Sequence, residues 1–145
     1  MELKPKIGID NLKFGMTQKD ILEILGIPDR KRIDEDDEEQ ILFEFNRLKI
    51  RLTFYLNEEN RLGYIRSNNP DLTFNGMKII GSKIEYAKKE IFGEIISDWE
   101  VEEYDFFLTH SDDNVWVTLN EEFGEVSSVE VGVTFSDGEN YDWPI

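Results

Sequence analysis

The chain has 145 residues, no cysteine, and 32 acidic against 16 basic side chains, which gives a formal net charge of −16 at pH 7. The lack of cysteine excludes disulfides, thiolate metal sites and cysteine nucleophiles, and the charge argues against nucleic acids and anionic membranes as partners. No stretch is as long and apolar as a membrane span or a signal peptide, so we expect a soluble, cytoplasmic protein that is monomeric when free.

The charge is divided unevenly along the chain. Residues 1–70 contain 12 Lys/Arg and 14 Asp/Glu, net −2, whereas residues 71–145 contain 4 and 18, net −14. A high net charge can serve solubility alone, or it can steer the protein toward a basic partner.

A short helix and an acidic run come first in chain order. Thr17 followed by Asp20 resembles a capping box, and Gly26 with Pro28 beyond it ends the helix. The acidic run Asp34–Glu39 repels itself and predicts a solvated loop. As a cation site the run would hold ions only diffusely, because it lacks the glycine-bearing spacing of a calcium loop.

The stretch Leu48–Glu59 has the clearest strand pattern in the chain. Its apolar residues alternate with polar ones, which predicts a central antiparallel strand with one buried face. Ile41–Phe45 before it and Arg61–Arg66 after it also read as strands. The sequence thus predicts a first unit, residues 1–68, made of one helix and a three-stranded meander.

A second unit, residues 69–145, repeats this order. Ser82 and Glu85 predict a fuller capping box for a second helix. The tetrapeptide L-N-E-E follows a strand pattern in both units, beginning at position 56 and again at position 119, a period of 63. Three strands are predicted after the second helix: Trp99–Leu108, Asn114–Leu119 and Val129–Phe135.

These elements predict an α+β fold. Two tandem units, each a helix plus a three-stranded antiparallel meander, would form one sheet with the helices on one face and would share a core. The polar and aromatic C-terminal tail is expected to fold back onto the body.

The first unit resembles a known repeat. The string Gly15-Met16-Thr17, then Ile21 and Leu25-Gly26-x-Pro28, and finally L-T-F-Y-L-N-E-E-N-R-L-G-Y-I, is similar to the repeat shared by the β-lactamase inhibitor proteins and the small lipoprotein of the outer-membrane assembly machinery (the SmpA/OmlA family). The resemblance covers residues 11–67. It implies a helical segment on a three- or four-stranded antiparallel sheet, in tandem in the inhibitor members, and a role in binding other proteins.

The chain departs from that family in several places. In the second unit Gly81-Ser82 stands where glycine-methionine-threonine is expected, and no proline follows Gly93 closely. The inhibitor members carry disulfides and the lipoprotein members a lipidated cysteine, and this chain has neither. Their specific activities therefore do not transfer to it.

Catalytic signatures are absent from the sequence. His110, the only histidine, lies beside Ser111 and Asp112, but adjacent positions cannot adopt the geometry of a catalytic triad. Acidic pairs occur at turns or on opposite faces of strands, and no glycine-rich phosphate loop is present. We therefore predict a protein that is not an enzyme and needs no cofactor or metal, with His110 in a structural or merely exposed position.

The strand alternation predicts an exterior binding face in the second unit. On Glu103–Thr109, Tyr104 and Phe106 point inward, so Phe107 points outward, and Trp116 does the same on the next strand. Aromatic anchors inside an acidic rim suit a basic protein surface. The alternative is that the C-terminal tail or the first unit covers these aromatics. The predicted partner-binding residues are Phe107, Trp116, Asp105, Thr118, Glu130, Asp112 and Asp113.

The leading functional prediction is an inhibitor or immunity-type protein that blocks a basic toxin or hydrolase through this face. Two alternatives stay open: a structural or assembly adaptor of the cell envelope, and an acidic mimic of DNA that inhibits a nucleic-acid enzyme.

Overall fold

The N-terminal segment forms a small sheet and a helix in the computed structural model, which describes all residues from 1 to 145. Thr17 accepts a hydrogen bond from the Asp20 amide and Asp20 accepts one from the Thr17 amide, so the predicted capping box is confirmed, and Gly26 caps the helix C-terminus. The elements are β1 (Leu3–Lys4), β2 (Gly8–Ile9), β3 (Leu12–Lys13) and α1 (Gln18–Leu25).

Eight antiparallel strands form the main sheet. Four come from the first half of the chain: β4 (Arg30–Ile33), β5 (Gln40–Phe45), β6 (Ile50–Tyr55) and β7 (Arg61–Ser67). A two-stranded hairpin and a second helix follow: β8 (Thr73–Phe74), β9 (Met77–Lys78) and α2 (Ile84–Tyr86), which continues as a π-helical turn, Ala87–Ile91. The last four strands are β10 (Glu100–Glu103), β11 (Leu108–Asp112), β12 (Val117–Glu122) and β13 (Glu125–Gly132).

The strand order joins two meanders at their last strands. Across the sheet it runs β10-β11-β12-β13-β7-β6-β5-β4. The first meander (β4–β7) and the second meander (β10–β13) therefore meet where β13 pairs with β7, in a register that sets Val131 opposite Ile65. The two outer edges differ in charge, since β4 reads R-K-R-I and β10 reads E-V-E-E.

One apolar core lies on the inner face of this sheet. It contains 25 buried residues drawn from both meanders, including Leu52 and Leu119. Ile21 of α1 and Ile84 of α2 belong to the same cluster. Burying an aliphatic side chain of this size stabilises the fold by about 1.5–3 kcal/mol relative to leaving it exposed. No helix in the structure combines the length and apolar character needed to cross a bilayer.

The two halves make matching backbone contacts ahead of their helices. The Gly15 amide donates to the Leu62 carbonyl, and the Gly81 amide donates to the Val126 carbonyl. The repeated tetrapeptide L-N-E-E is not part of this match. Leu56–Glu58 form a 3₁₀ turn after β6, whereas Leu119 to Glu122 lie inside β12.

The predicted fold class is wrong. The structure is dominated by one eight-stranded sheet with two short helices, not by tandem helix-plus-three-stranded-meander units with helices covering one face. Each meander has four strands, because Arg30–Ile33 pairs with β5 as an edge strand and Trp99–Leu108 contains a chain reversal. A polar edge strand shows little hydrophobic alternation, and the reversal contains no glycine or proline.

The second helix also differs from its prediction. The Ser82 hydroxyl donates to the Ile79 carbonyl at 2.6 Å. Lys83 occupies the N-cap position of the helix, but its side chain makes no capping hydrogen bond. The predicted capping box at Ser82 and Glu85 is therefore absent. The α-helical segment is only three residues long before it widens into the π-helical turn.

Candidate functional site

The chain reversal between β10 and β11 exposes three aromatic side chains. The Tyr104 amide donates to the Phe107 carbonyl and closes a tight turn around Asp105 and Phe106. The rings of Tyr104 and Phe107 stack at 4.8 Å, and Phe106 is 87% exposed at the apex.

A fourth aromatic residue lies on the neighbouring turn. Phe123 and Gly124 connect β12 to β13, both with positive φ, and Phe123 is fully exposed. Because Leu108 pairs with Glu121, this turn and the Tyr104–Phe107 turn lie at the same end of the sheet. We call Tyr104, Phe106, Phe107 and Phe123 together the aromatic tip.

Carboxylates surround the aromatic tip. Glu102 accepts a hydrogen bond from the Tyr104 hydroxyl at 2.7 Å, and this bond raises the pKa of that phenol. Asp105 is exposed within the turn itself. Glu103 and Glu122 are also exposed, at the ends of β10 and β12. Exposed apolar rings within an acidic rim are unusual on a surface that contacts only water.

A cavity of about 420 Å³ opens beside the aromatic tip on the outer face of the sheet. Tyr104 and Phe107 form one wall, and β12, β13 and β7 form the floor. It is lined by Arg66, Tyr104, Phe107, Thr109, Asn120, Glu122, Ser127 and Glu130.

The floor of this cavity is a polar network centred on Glu130. Its carboxylate accepts from the Tyr64 hydroxyl at 3.0 Å and from the Asn120 amide at 2.8 Å. The Asn120 amide also donates to Ser128 at 2.8 Å. Burial, followed by the adjacent Glu130 charge, raises the pKa of Tyr64 far above its ordinary value, so the phenol remains a donor.

Trp116 lies at the other end of the β11–β12 hairpin. It has φ +55° in the turn before β12, and its ring covers Gly132, where an added Cβ would clash with the indole Cδ1. Phe135 meets the Trp116 ring edge-on at 5.9 Å and stacks on Tyr141 of the C-terminal tail. The tail therefore packs on Phe135, which in turn packs against Trp116, while none of the tail's aromatic contacts reaches Phe107.

The predicted site residues do not form one patch. Phe107 and Asp105 lie at the aromatic tip, whereas Trp116 lies roughly 15 Å away along the five residues of β11. Asp112 accepts from the Val115 amide at 2.7 Å and shapes the turn that contains Asp113. Thr118 and Glu130 pair across β12 and β13, between the two ends.

Two predicted side-chain directions are wrong. Tyr104 and Phe106 were expected to point inward, but both are exposed in the turn. The alternation of a continuous strand does not apply to these residues, because the chain reverses between Glu103 and Leu108. The exposure of Phe123 was not predicted either: Gly124 suits the second position of a two-residue hairpin turn, but a phenylalanine before it is not one of the residues that mark such turns.

His110 is buried and fully paired. Its Nε2 lies 2.7 Å from a Glu121 carboxylate oxygen and its Nδ1 lies 3.1 Å from the Lys88 ammonium. Lysine only donates, so Nδ1 accepts and Nε2 carries the proton donated to Glu121. Both ring nitrogens therefore have partners within the protein. No group of three or more His, Asp or Glu side chains is arranged to hold a metal.

Comparisons with known proteins show the fold alone. No family model and no curated protein matches this chain. A crystal structure of an extracellular protein containing a SCP domain from Bacillus anthracis str. Ames is similar to it, with a TM-score of 0.51 and 14% sequence identity. The match covers 90% of this chain and 49% of the other, so this chain spans about half the length of that protein.

Proposed function

We propose that the protein is a non-catalytic binding protein, an inhibitor or immunity-type protein that docks its aromatic tip on a basic surface of another protein. The observation that carries this proposal is the exposure of four aromatic rings on two adjacent turns within a carboxylate rim. Tyr and Phe bury a large area at a low entropic cost, and such residues dominate the energetics of interfaces.

The partner's chemistry follows from the rim. The half of the chain that carries the aromatic tip has a net charge of −14. A basic surface would be attracted from a distance and held by the rings after contact. The cytoplasmic location expected from the sequence remains a prediction.

The proposal is tested with a double substitution at the aromatic tip. Partners are captured from the organism's own cells with the wild-type protein, and affinities are then measured for Phe106→Ala/Phe123→Ala. Hot-spot residues cost about 2 kcal/mol or more each, so we expect affinity to fall by roughly 30-fold if one of the two is a hot spot and by roughly 1,000-fold if both are. Ile27→Ala is the matched control, because Ile27 is also highly exposed at 90% but lies outside the tip.

Equal affinity of the double variant and the control would contradict the proposed site. Raising the salt concentration from 0.05 to about 0.5 M should slow association and leave dissociation nearly unchanged, because screening acts on the encounter. Competition by duplex DNA for the same partner would favour the DNA-mimic alternative instead.

A further inference from the structure

A second recess, rich in positive charge, lies on the outer face of the first meander. It encloses about 420 Å³ at the end of β5, β6 and β7 where the chain turns. We call it the basic recess. It is lined by Glu44, Phe45, Asn46, Lys49, Ile50, Arg51, Arg66, Ser67 and Asn68.

Two arginines face each other across this recess. Arg51 of β6 and Arg66 of β7 are directly opposite in the strand register. Side chains so placed have Cβ atoms about 4.5–5.5 Å apart, and like charges in this position are destabilising. The pair is unexpected in a chain with twice as many acids as bases.

The neighbouring carboxylates form no ion pair with either arginine. Glu44 and Glu130 flank the two arginines in the same transverse row. Glu44 binds Arg32 at 3.4 Å, and Glu130 is held by the Tyr64 and Asn120 donors.

The arginine donors themselves are largely unused. Arg51 makes no side-chain hydrogen bond or ion pair, and its Nε is buried without a partner. Arg66 has a single contact of 3.5 Å, to the Ser128 hydroxyl. Buried donors normally have acceptors, and the protein's own groups supply none for the Nε of Arg51; the Nε of Arg32 is unpartnered too, but the Arg32 guanidinium is ion-paired to Glu44.

We propose that the basic recess binds a phosphoryl dianion, either free phosphate or a phosphomonoester. The lining residues Lys49, Arg51 and Arg66 against Glu44 give a charge of +2, which complements a dianion. Guanidinium groups present paired N–H donors that match phosphate oxygens, and such charge-assisted bonds are the strongest of their kind. Asn46 and Asn68 at the mouth add neutral donors.

In the first experiment inorganic phosphate is titrated into the protein at pH 7.5, and the heat of binding is measured by calorimetry. We expect saturable binding, reduced roughly tenfold or more in Arg51→Gln and in Arg66→Gln. Arg30→Gln is the matched control, because Arg30 lies in the same transverse row but outside the recess. The affinity of this variant for phosphate should stay within about twofold of wild type. A loss of the same size in Arg30→Gln would show general charge attraction and overturn the proposal.

A second measurement does not depend on the folding of any variant. Phosphate should shift the backbone amide resonances of residues 49–51 and 66–68 in the wild-type protein, whereas chloride at equal ionic strength should not. The absence of a localised, saturable shift would also overturn the proposal. A phosphoserine peptide and free phosphate are compared in parallel, and the tighter binder identifies the source of the phosphoryl group.

Discussion

Tyr64 shows how a single side chain organises the outer face of the sheet. Its hydroxyl donates to Glu130, which lies in the register between Arg66 and Thr118. Tyr64 and Asn120 together hold the Glu130 carboxylate at the floor of the cavity beside the aromatic tip, next to Arg66 but without an ion pair to it.

We expect Tyr64→Phe to lower the free energy of unfolding by about 1.5–3 kcal/mol at pH 7, because a hydrogen bond to a charged group is lost. Chemical denaturation measures this change. Tyr86→Phe is the control, since the Tyr86 hydroxyl lies on an exposed side chain and contacts only a methionine sulfur. A loss of similar size in both variants would contradict this role of Tyr64.

The same residue makes stability dependent on alkaline pH. The folded pKa of Tyr64 is raised above its ordinary value of 10.0, so its contribution is complete below pH 10 and is lost as the pH rises further. Burial also raises the pKa of Tyr55, so Tyr55 changes stability with pH in the same direction. Denaturation curves at pH 9 and 11 should therefore differ less for Tyr64→Phe than for wild type, with the remaining difference due to Tyr55, Tyr104 and Tyr141, whose pKa values are also raised.

At the scale of elements, the C-terminal tail is a hairpin held by one aspartate. Asp137 accepts from the backbone amides of Glu139 and Asn140 at 2.8 and 2.9 Å, and these bonds lower its pKa below the ordinary 3.8. The tail turn places Tyr141 on Phe135, and it leads to Trp143, whose ring lies 4.4 Å from the Arg61 guanidinium carbon.

The tail should loosen in acid. Because the folded pKa of Asp137 is depressed, its contribution is present above about pH 4 and is lost as the pH falls through the lowered value. We expect Asp137→Ala to show at pH 7 the loosening that wild type shows only in acid, seen as faster exchange of the Asn140 and Asp142 amides. Unchanged amide exchange in Asp137→Ala would contradict the proposed role of Asp137 in holding the tail turn.

Sequence patterns predicted buried faces better than chain reversals. The alternation correctly placed Leu52 and Val131 inward, because each lies within a strand paired on both sides. It failed at Tyr104 to Phe107, where no glycine or proline marks the turn and the reversal depends on pairing with β11. Because the reversal was not predicted, most of the aromatic tip was not predicted either. The recess at Arg51 and Arg66 also escaped prediction, because only the register of β6 and β7 brings the two residues together.

At the scale of the whole molecule, the β7–β13 junction makes the two meanders one cooperative body. Ile65 is completely buried there, opposite Val131. Ile65→Ala should lower the free energy of unfolding by about 2–5 kcal/mol. Tryptophan fluorescence, dominated by Trp99 and Trp116 of the second half and Trp143 of the tail, should still lose its signal at the same denaturant concentration as far-ultraviolet circular dichroism.

Two separate transitions would show that the meanders unfold independently. Ile33→Ala is the control, because Ile33 is 59% exposed on the edge strand β4 and should change stability by less than about 0.5 kcal/mol.

The uneven charge of the two halves of the chain has a consequence for diffusion. Residues 1–70, which contain the first meander, have a net charge of −2, and residues 71–145, which contain the second, have −14. The outer strands β4 and β10 are separated by six intervening strands, a span of roughly 30 Å, so the negative charge is displaced toward β10 and acts as an electric dipole along the sheet. Near a cationic surface this dipole experiences a torque that turns the β10 edge and its adjoining turn forward. At physiological ionic strength the torque acts only within about 8 Å, so the rotation occurs in the last moments before collision.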